Sequence, residues 1–132
     1  GERRVGVAVS DELGLIASPI ATIDVEREGL PALLALIERY APTVIVVGLP
    51  VTMRGREGTQ AAETRRFVEL LRPHVRCPVV FWDERLTSTA AERLLIESGM
   101  RRGRRRQAID AVAAALMLQS YLDAQRAERG RK

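Results

Sequence analysis

Acidic residues at two places in the sequence have the chemistry of a site for a hard cation. Asp83 and Glu84 are adjacent carboxylates that directly follow the apolar run 79–82. Mg²⁺ and Mn²⁺ prefer oxygen ligands and usually take one or two carboxylates together with water. The alternative is a solvated strand end in which the carboxylates pair with Arg85. The adjacent carboxylates therefore predict either a divalent-metal site or an ordinary exposed loop.

Asp110 is the second acidic candidate. On a helix with 100° per residue it shares a face with apolar or aromatic residues, namely Ala113, Ala114, Met117 and Tyr121. A carboxylate on such a face is costly unless it is paired or binds a metal ion. The alternative is a favourable interaction of Asp110 with the helix N-terminus. We expect Asp110 to reach the strand-end carboxylates and to share a metal ion with them.

Arginines accompany both acidic positions. Lys132 is the only lysine among the 21 cationic residues. Five arginines come shortly before Asp110, and two lie in the glycine-bearing loop 52–58; they are Arg101, Arg102, Arg104, Arg105 and Arg106, and Arg54 and Arg56. Arginine binds phosphate groups, and carboxylate-bound metals activate water for phosphodiester cleavage. A nuclease would use both features, although a run of arginines is also typical of a solvated segment.

Hydrophobic periodicity predicts the strands that position these residues. The alternating segment 4–10 and the extended segment 16–23 predict a hairpin, with Gly6 at a point where another backbone or a ligand comes close. The continuous apolar runs 43–50 and 79–82 predict two buried strands of a parallel pair.

The helical period predicts helices over 30–40, 59–71 and about 105–125. A capping box from Thr89 to Glu92 predicts a further helix that ends near Gly99. Buried strands separated by helices indicate the α/β class, with a mixed sheet flanked by helices. Ligands gather at the carboxyl ends of such strands. Three places satisfy this condition: Asp11, the Gly48–Gly58 loop and the Asp83–Glu84 pair.

Length and composition exclude several classes of protein. The 132 residues, 46% of them hydrophobic, predict a single domain over 1–132. No apolar run approaches the roughly 18–20 residues of a membrane span. Cys77 is the only cysteine and His74 the only histidine, so an internal disulfide and a thiolate zinc cluster are excluded and a Ser-His triad is disfavoured. The expected location is the reducing cytoplasm, and the net charge of +4 suits a polyanionic partner.

Four segments together resemble one family: 3–11, 46–50, 83–87 and 110–114. In their order and spacing, which cover nearly the whole chain, they resemble the YqgF family of Holliday-junction-resolvase-like proteins. The resemblance implies a ribonuclease-H-like fold. It also implies a bacterial, cytoplasmic protein that processes the 5′ end of pre-16S ribosomal RNA.

The resemblance further implies three acidic ligands around Mg²⁺ or Mn²⁺. Two of them correspond to Glu84, with Asp83 as a further ligand of the same pair, and to Asp110. The third is an aspartate at the end of the family's first strand, which corresponds to a position before Gly1. We therefore expect the first central strand to be missing from this chain, and weak or absent catalysis and an exposed sheet edge to follow.

Four functions remain open from the sequence. The first is a Mg²⁺- or Mn²⁺-dependent endonuclease on structured RNA, above all pre-16S rRNA, acting as a monomer or homodimer. The second is a resolvase of branched DNA, which must cut two strands symmetrically and should dimerise. The third is a catalytically inactive nucleic-acid-binding module. The fourth, a nucleotide-phosphate site at the glycine-bearing strand turns, is weakened by the lack of a phosphate-binding lysine.

Overall fold

The computed structural model describes residues 4–51, 54–83 and 102–130, with side chains of the last helix from residue 109 onward. The chain divides into two compact units. One unit contains an antiparallel hairpin and the last helix, and the other contains two helices and two parallel strands. The expectation of a single domain over 1–132 stays a prediction.

The hairpin of the first unit is formed by β1 (Arg4–Ser10) and β2 (Ala17–Asp24). The two strands pair antiparallel, as the alternating pattern predicts. The register shifts between Val7 and Ala8, and Ala8 then lies opposite Pro19. Proline has no N–H to donate to the neighbouring strand, so a local irregularity in the strand pairing is expected at this point.

Asp11 shapes the turn that joins β1 and β2. Its Oδ1 accepts hydrogen bonds from the backbone N–H of Leu15 at 2.7 Å and of Ile16 at 3.2 Å. These donors hold the pKa of Asp11 below its usual value, because they stabilise the ionised form. The position of this carboxylate is thus explained by turn formation.

The last helix, α3 (Arg102–Gly130), packs against both strands of the hairpin. Its buried side chains are small or flexible, namely Ala111, Ala115 and Met117. The backbones come very close at Gly6, where an added Cβ would lie 1.8 Å from the carbonyl oxygen of Asp110. The prediction that Gly6 admits a neighbouring backbone is confirmed, because only a residue without Cβ fits under the helix there.

Gln119 ties α3 to the hairpin turn. Its Oε1 accepts a hydrogen bond from the N–H of Ala17 at 2.9 Å, and its Nε2 donates to the carbonyl oxygen of Leu15 at 2.8 Å. The same Nε2 also donates to Oδ1 of Asp123 at 3.0 Å, which orients the amide. One side chain thus satisfies a backbone donor and a backbone acceptor of the hairpin.

The second unit runs helix, strand, helix, strand: α1 (Gly29–Tyr40), β3 (Ile45–Leu49), α2 (Thr59–Leu71) and β4 (Val79–Asp83). The two strands are parallel, and Leu49 pairs with Asp83 at their carboxyl ends. The parallel pairing confirms the prediction made from the apolar runs. Most residues of these strands are half-buried, so burial is less complete than those runs predict.

The helix boundaries of the second unit follow local signals. α1 ends at Tyr40 and is capped by Ala41, whose left-handed backbone donates its N–H to the carbonyl oxygen of Ile37 at 2.8 Å. α2 occupies the predicted residues and continues into a 3-10 turn, Arg72–His74, that contains Pro73. Its buried face consists of Ala61, Val68 and Leu71.

The α/β class is confirmed, and the elements are consistent with a ribonuclease-H-like fold. In the part of the chain that the structure describes, the strands form one antiparallel pair and one parallel pair. The last helix is longer than predicted, since it begins before residue 105 and ends after residue 125. Arginine has a high helix propensity, so a cationic run does not end a helix. The helix predicted from Thr89 to Gly99 lies outside the described residues.

Among the described residues, no helix combines the length and the apolar character that crossing a bilayer requires.

Candidate functional site

Asp110 lies on the face of α3 that meets β1. Its side chain is 23% exposed, and its Oδ2 lies 2.8 Å from Nε of Arg4 on the first strand. Burial raises the pKa of Asp110, and the positive charge of Arg4 opposes this rise. The sequence predicts that a carboxylate on this face is either paired with a cation or bound to a metal ion. The ion pair with Arg4 confirms the first of these two alternatives.

In this ion pair one carboxylate oxygen of Asp110, Oδ2, lacks an aligned hydrogen bond from the described residues. Both Arg4 Nε and Asp110 Oδ2 are buried, and within the described residues neither has an aligned hydrogen bond. The short distance between them is thus a charge contact whose N–H does not point at the oxygen. A buried carboxylate oxygen without an aligned donor fits one ligand position of Mg²⁺ or Mn²⁺.

The alternative explanation for Asp110, interaction with the helix N-terminus, is wrong. α3 begins at Arg102, and no acidic residue lies in its first turn. The favourable field of the helix dipole falls off within that first turn. Asp110 is further along the helix, so burial and Arg4 determine its electrostatics.

Asp83 is exposed at the carboxyl end of β4, opposite Leu49. The chain leaves β3 at Leu49 and enters the glycine-bearing loop, so Asp83 and that loop begin at the same edge of the parallel pair. Glu84 lies outside the described residues. Among the residues that the structure describes, no group of three or more acidic, histidine or cysteine side chains is arranged to hold a metal. The convergence of Glu84 and Asp83 with Asp110 therefore stays a prediction.

The glycine-bearing loop is closed by a short antiparallel bridge between Val51 and Glu57. Gly55 has a φ of 81°, a conformation that favours glycine and lets the chain reverse. Arg54 and Arg56 flank this glycine and are exposed. The loop thus carries two cationic residues at its surface, as the sequence predicts.

A depression of about 230 Å³ lies beside this loop, at the start of α2. It is lined by Pro50, Val51, Gly58, Thr59 and Gln60. None of these five residues is charged. The described residues of the depression therefore supply no cationic group for the nucleotide phosphate considered as the fourth function.

Glu57 and Arg65 form a well-aligned ion pair in the described part of the second unit, which sequence reasoning missed. Nε and one terminal nitrogen of Arg65 donate to the two oxygens of Glu57, each at 2.7 Å. The guanidinium also lies 4.7 Å from the ring centroid of Phe81. This pairing lowers the pKa of Glu57 and raises that of Arg65. A separation of eight residues across a loop and a helix start gives no periodic signal from which to predict the pair.

The arginine cluster is partly described. The backbone of α3 includes Arg102, Arg104, Arg105 and Arg106, whereas Arg101 lies outside the described residues. The predicted helix start at about residue 105 is thus slightly too late, since residues 102–104 are helical.

The single histidine and the single cysteine of the chain both lie among the described residues. His74 is exposed in the 3-10 turn. Cys77 is a free, half-buried cysteine. The site candidates are therefore the carboxylates and arginines discussed above.

Comparison with known proteins assigns the chain to a family. A family model described as RuvX, Holliday junction resolvase, matches residues 1–124. Three similar proteins are each named "Putative pre-16S rRNA nuclease". That of Geobacillus kaustophilus is 48% identical over 130 residues, with 96% of this chain and 94% of the relative covered. That of a Roseiflexus species is 48% identical over 128 residues, covering 96% and 91% of the two chains.

The third relative, from Chloroflexus aurantiacus, is 43% identical over 133 residues and covers 99% of this chain and 87% of its own. These alignments span both units of the structure and include the positions of all four segments on which the sequence resemblance rests. The chain therefore belongs to the RuvX family of Holliday junction resolvases.

Proposed function

We propose that this chain is a divalent-metal-dependent endonuclease that cleaves pre-16S ribosomal RNA at its 5′ side. The observation that supports the proposal most strongly is the 48% identity, over almost the full length of both chains, to relatives named for that nuclease activity. The partly buried carboxylate of Asp110, with an oxygen that lacks an aligned hydrogen bond, supplies a suitable group for such chemistry.

In this proposal Asp110, Glu84 and Asp83 hold Mg²⁺ or Mn²⁺. When bound, such an ion lowers the pKa of a water molecule and stabilises the leaving oxygen of a phosphodiester. Asp110 contributes a carboxylate that α3 holds against β1, where its surroundings are partly shielded from water. Low solvent exposure strengthens its attraction for a cation relative to a fully hydrated carboxylate.

The arginines hold the phosphate backbone of the substrate. Arg54 and Arg56 are exposed on the loop that starts at the carboxyl edge of the parallel strands. The start of α3 carries several arginines and no acidic residue in its first turn. Cations near a helix N-terminus are unfavourable, and a polyanion bound there would offset that repulsion. The net charge of +4 favours the same kind of partner.

Branched DNA is the second candidate substrate, because the matching family model is described as a Holliday junction resolvase. Symmetric cleavage of a junction requires two active sites, so this function requires a homodimer. RNA cleavage is compatible with a monomer. Both activities would place the protein in the cytoplasm, where these nucleic acids occur in bacteria.

The proposal is tested by offering the purified protein a pre-16S rRNA fragment and, separately, a four-way DNA junction, with Mg²⁺, with Mn²⁺ and with EDTA. The variants are Asp110→Asn and Glu84→Gln, with Asp123→Asn as a matched control on the same helix. Asp123 is more than half exposed and pairs with Arg126. We expect weak RNA cleavage that EDTA abolishes, a further loss of roughly 100-fold or more in both site variants, and cleavage by the control that matches the parent.

Three other results would contradict the proposal in different ways. Cleavage of the DNA junction alone, by a dimer, would favour the resolvase. Salt-sensitive RNA binding that ignores EDTA and yields no product would favour a binding module without catalysis. Cleavage at the parent's rate by Asp110→Asn and Glu84→Gln, as by the control, would show that neither carboxylate belongs to the active site.

A further inference from the structure

Arg4 is placed beside Asp110 by the geometry of the β1–α3 contact. Residues two apart on a strand point to the same face, so Arg4 lies on the same face of β1 as Gly6. At Gly6 the backbone of α3 passes so close to β1 that an added Cβ would lie 1.8 Å from the carbonyl oxygen of Asp110. The side chains of Arg4 and Asp110 therefore meet beside a close backbone contact of the first unit, and they are 31% and 23% exposed.

This ion pair differs from a well-formed structural salt bridge in the same chain. Arg65 and Glu57 make two aligned hydrogen bonds of 2.7 Å each, in the fork arrangement that arginine and carboxylate prefer. Arg4 instead makes its closest approach to Asp110 through a single nitrogen, and that contact is not aligned as a hydrogen bond. The charges compensate each other, but this contact lacks the two-bond fork geometry of the Arg65–Glu57 pair.

We propose that Arg4 is the counter-ion of Asp110 in the metal-free protein and competes with a divalent cation for Oδ2 of that carboxylate. This inference rests on the proposed function, in which Asp110 is a metal ligand. A single misaligned contact at a buried oxygen is readily replaced by a cation that coordinates it directly. The fixed positive charge of the guanidinium also repels the incoming ion, because like charges at short range in a partly buried site are screened only weakly.

Arg4 then sets how tightly the site binds its metal. Removing the charge while keeping an apolar side chain of similar length should strengthen cation binding. Replacing arginine by lysine should change it little, since the charge is retained. The two variants are thus expected to differ in cation binding if Arg4 is a counter-ion, and to behave alike if Arg4 merely supports the fold.

The experiment measures Mn²⁺ binding to the metal-stripped intact chain by calorimetry, with free Mn²⁺ followed independently by its paramagnetic resonance signal. The variants are Arg4→Met, Arg4→Lys and Asp110→Asn, and circular dichroism confirms that each is folded. We expect Arg4→Met to bind Mn²⁺ about tenfold more tightly. A tenfold change in the binding constant is equivalent to a pKa shift of about one unit, which is a common effect of one neighbouring charge. Arg4→Lys should bind within about twofold of the parent, and Asp110→Asn should bind much more weakly.

The outcomes distinguish this inference from the proposed function. Unchanged or weaker binding by Arg4→Met, together with a loss in Asp110→Asn, would overturn the counter-ion role and leave the metal site intact. Parent-like binding by Asp110→Asn would overturn both, because the carboxylate would not be a ligand. Should Arg4→Met fail to fold, Arg4→Gln removes the same charge with a polar side chain and carries the same expectation.

Discussion

Substituting Gly6 by alanine tests the close contact between β1 and α3. The new Cβ would lie 1.8 Å from the carbonyl oxygen and 2.2 Å from the carbonyl carbon of Asp110, and 2.8 Å from the backbone nitrogen of Ala111. All three are backbone atoms of a helix, so no side chain can rotate away to make room. An ordinary contact of about 3.5 Å requires the helix to move by about 1.7 Å at this point.

The size of the effect follows from that displacement. Overpacking a core usually costs about 1–3 kcal/mol, and a clash with backbone on both sides belongs at the upper end or beyond. We therefore expect Gly6→Ala to lower the free energy of unfolding by about 3 kcal/mol or more. In a chain of this length that corresponds to a fall in Tm of about 10 °C. Cleavage activity should fall as well, because the same movement displaces Asp110.

The assay is thermal and urea unfolding followed by circular dichroism, with Gly130→Ala as the control. Gly130 lies at the end of the same helix, and a Cβ there would meet nothing within 4 Å. The control should change Tm by no more than about 2 °C. A Gly6→Ala protein whose Tm matches that of the control would refute the close packing of β1 against α3.

Three further predictions concern single side chains. Gln119→Ala removes two hydrogen bonds to the hairpin backbone and should lower the free energy of unfolding in urea by about 1–2 kcal/mol. Gln125→Ala on the same helix should change it little. Equal effects of the two substitutions would argue against a stabilising contact between Gln119 and the hairpin. Arg65→Ala should lower Tm more than Arg72→Ala, because the second substitution breaks only one 3.3 Å contact. Added salt should reduce the difference between the two Tm values. Equal Tm values at low salt would contradict a stabilising role of the Arg65–Glu57 pair. The raised pKa of Asp110 means that its ionisation opposes folding, so its contribution to stability falls as pH rises through its folded pKa. Asp110→Asn cannot ionise, and its Tm relative to the parent should therefore increase between about pH 4 and about pH 7; a decrease in calorimetry would contradict this sign.

The sequence was sufficient where local chemistry decides the structure. Alternating Val and small residues gave β1, and the unbroken β-branched run gave β3 in a parallel pair. The helical period and Pro73 located α2, because proline disrupts the helical hydrogen-bond pattern within a few residues. Gly6 was recognisable as a point of close approach for the same local reason, the absence of a Cβ. The start of α3 was placed too late, since several arginines in sequence suggest a solvated connector although each is a good helix former.

Contacts between distant parts of the chain required the tertiary structure. The partner of Asp110 is Arg4, more than a hundred residues away, and nothing in either local sequence selects it. The same holds for Gln119, whose amide bonds to the hairpin turn. Periodicity can show that a carboxylate faces the core, but which charge meets it depends on how helix and hairpin pack. Sequence alone thus determined which residues have the chemistry of a metal-dependent nuclease. Tertiary structure decided how much water Asp110 retains and which cation lies beside it, because burial and distance exist only in the folded chain.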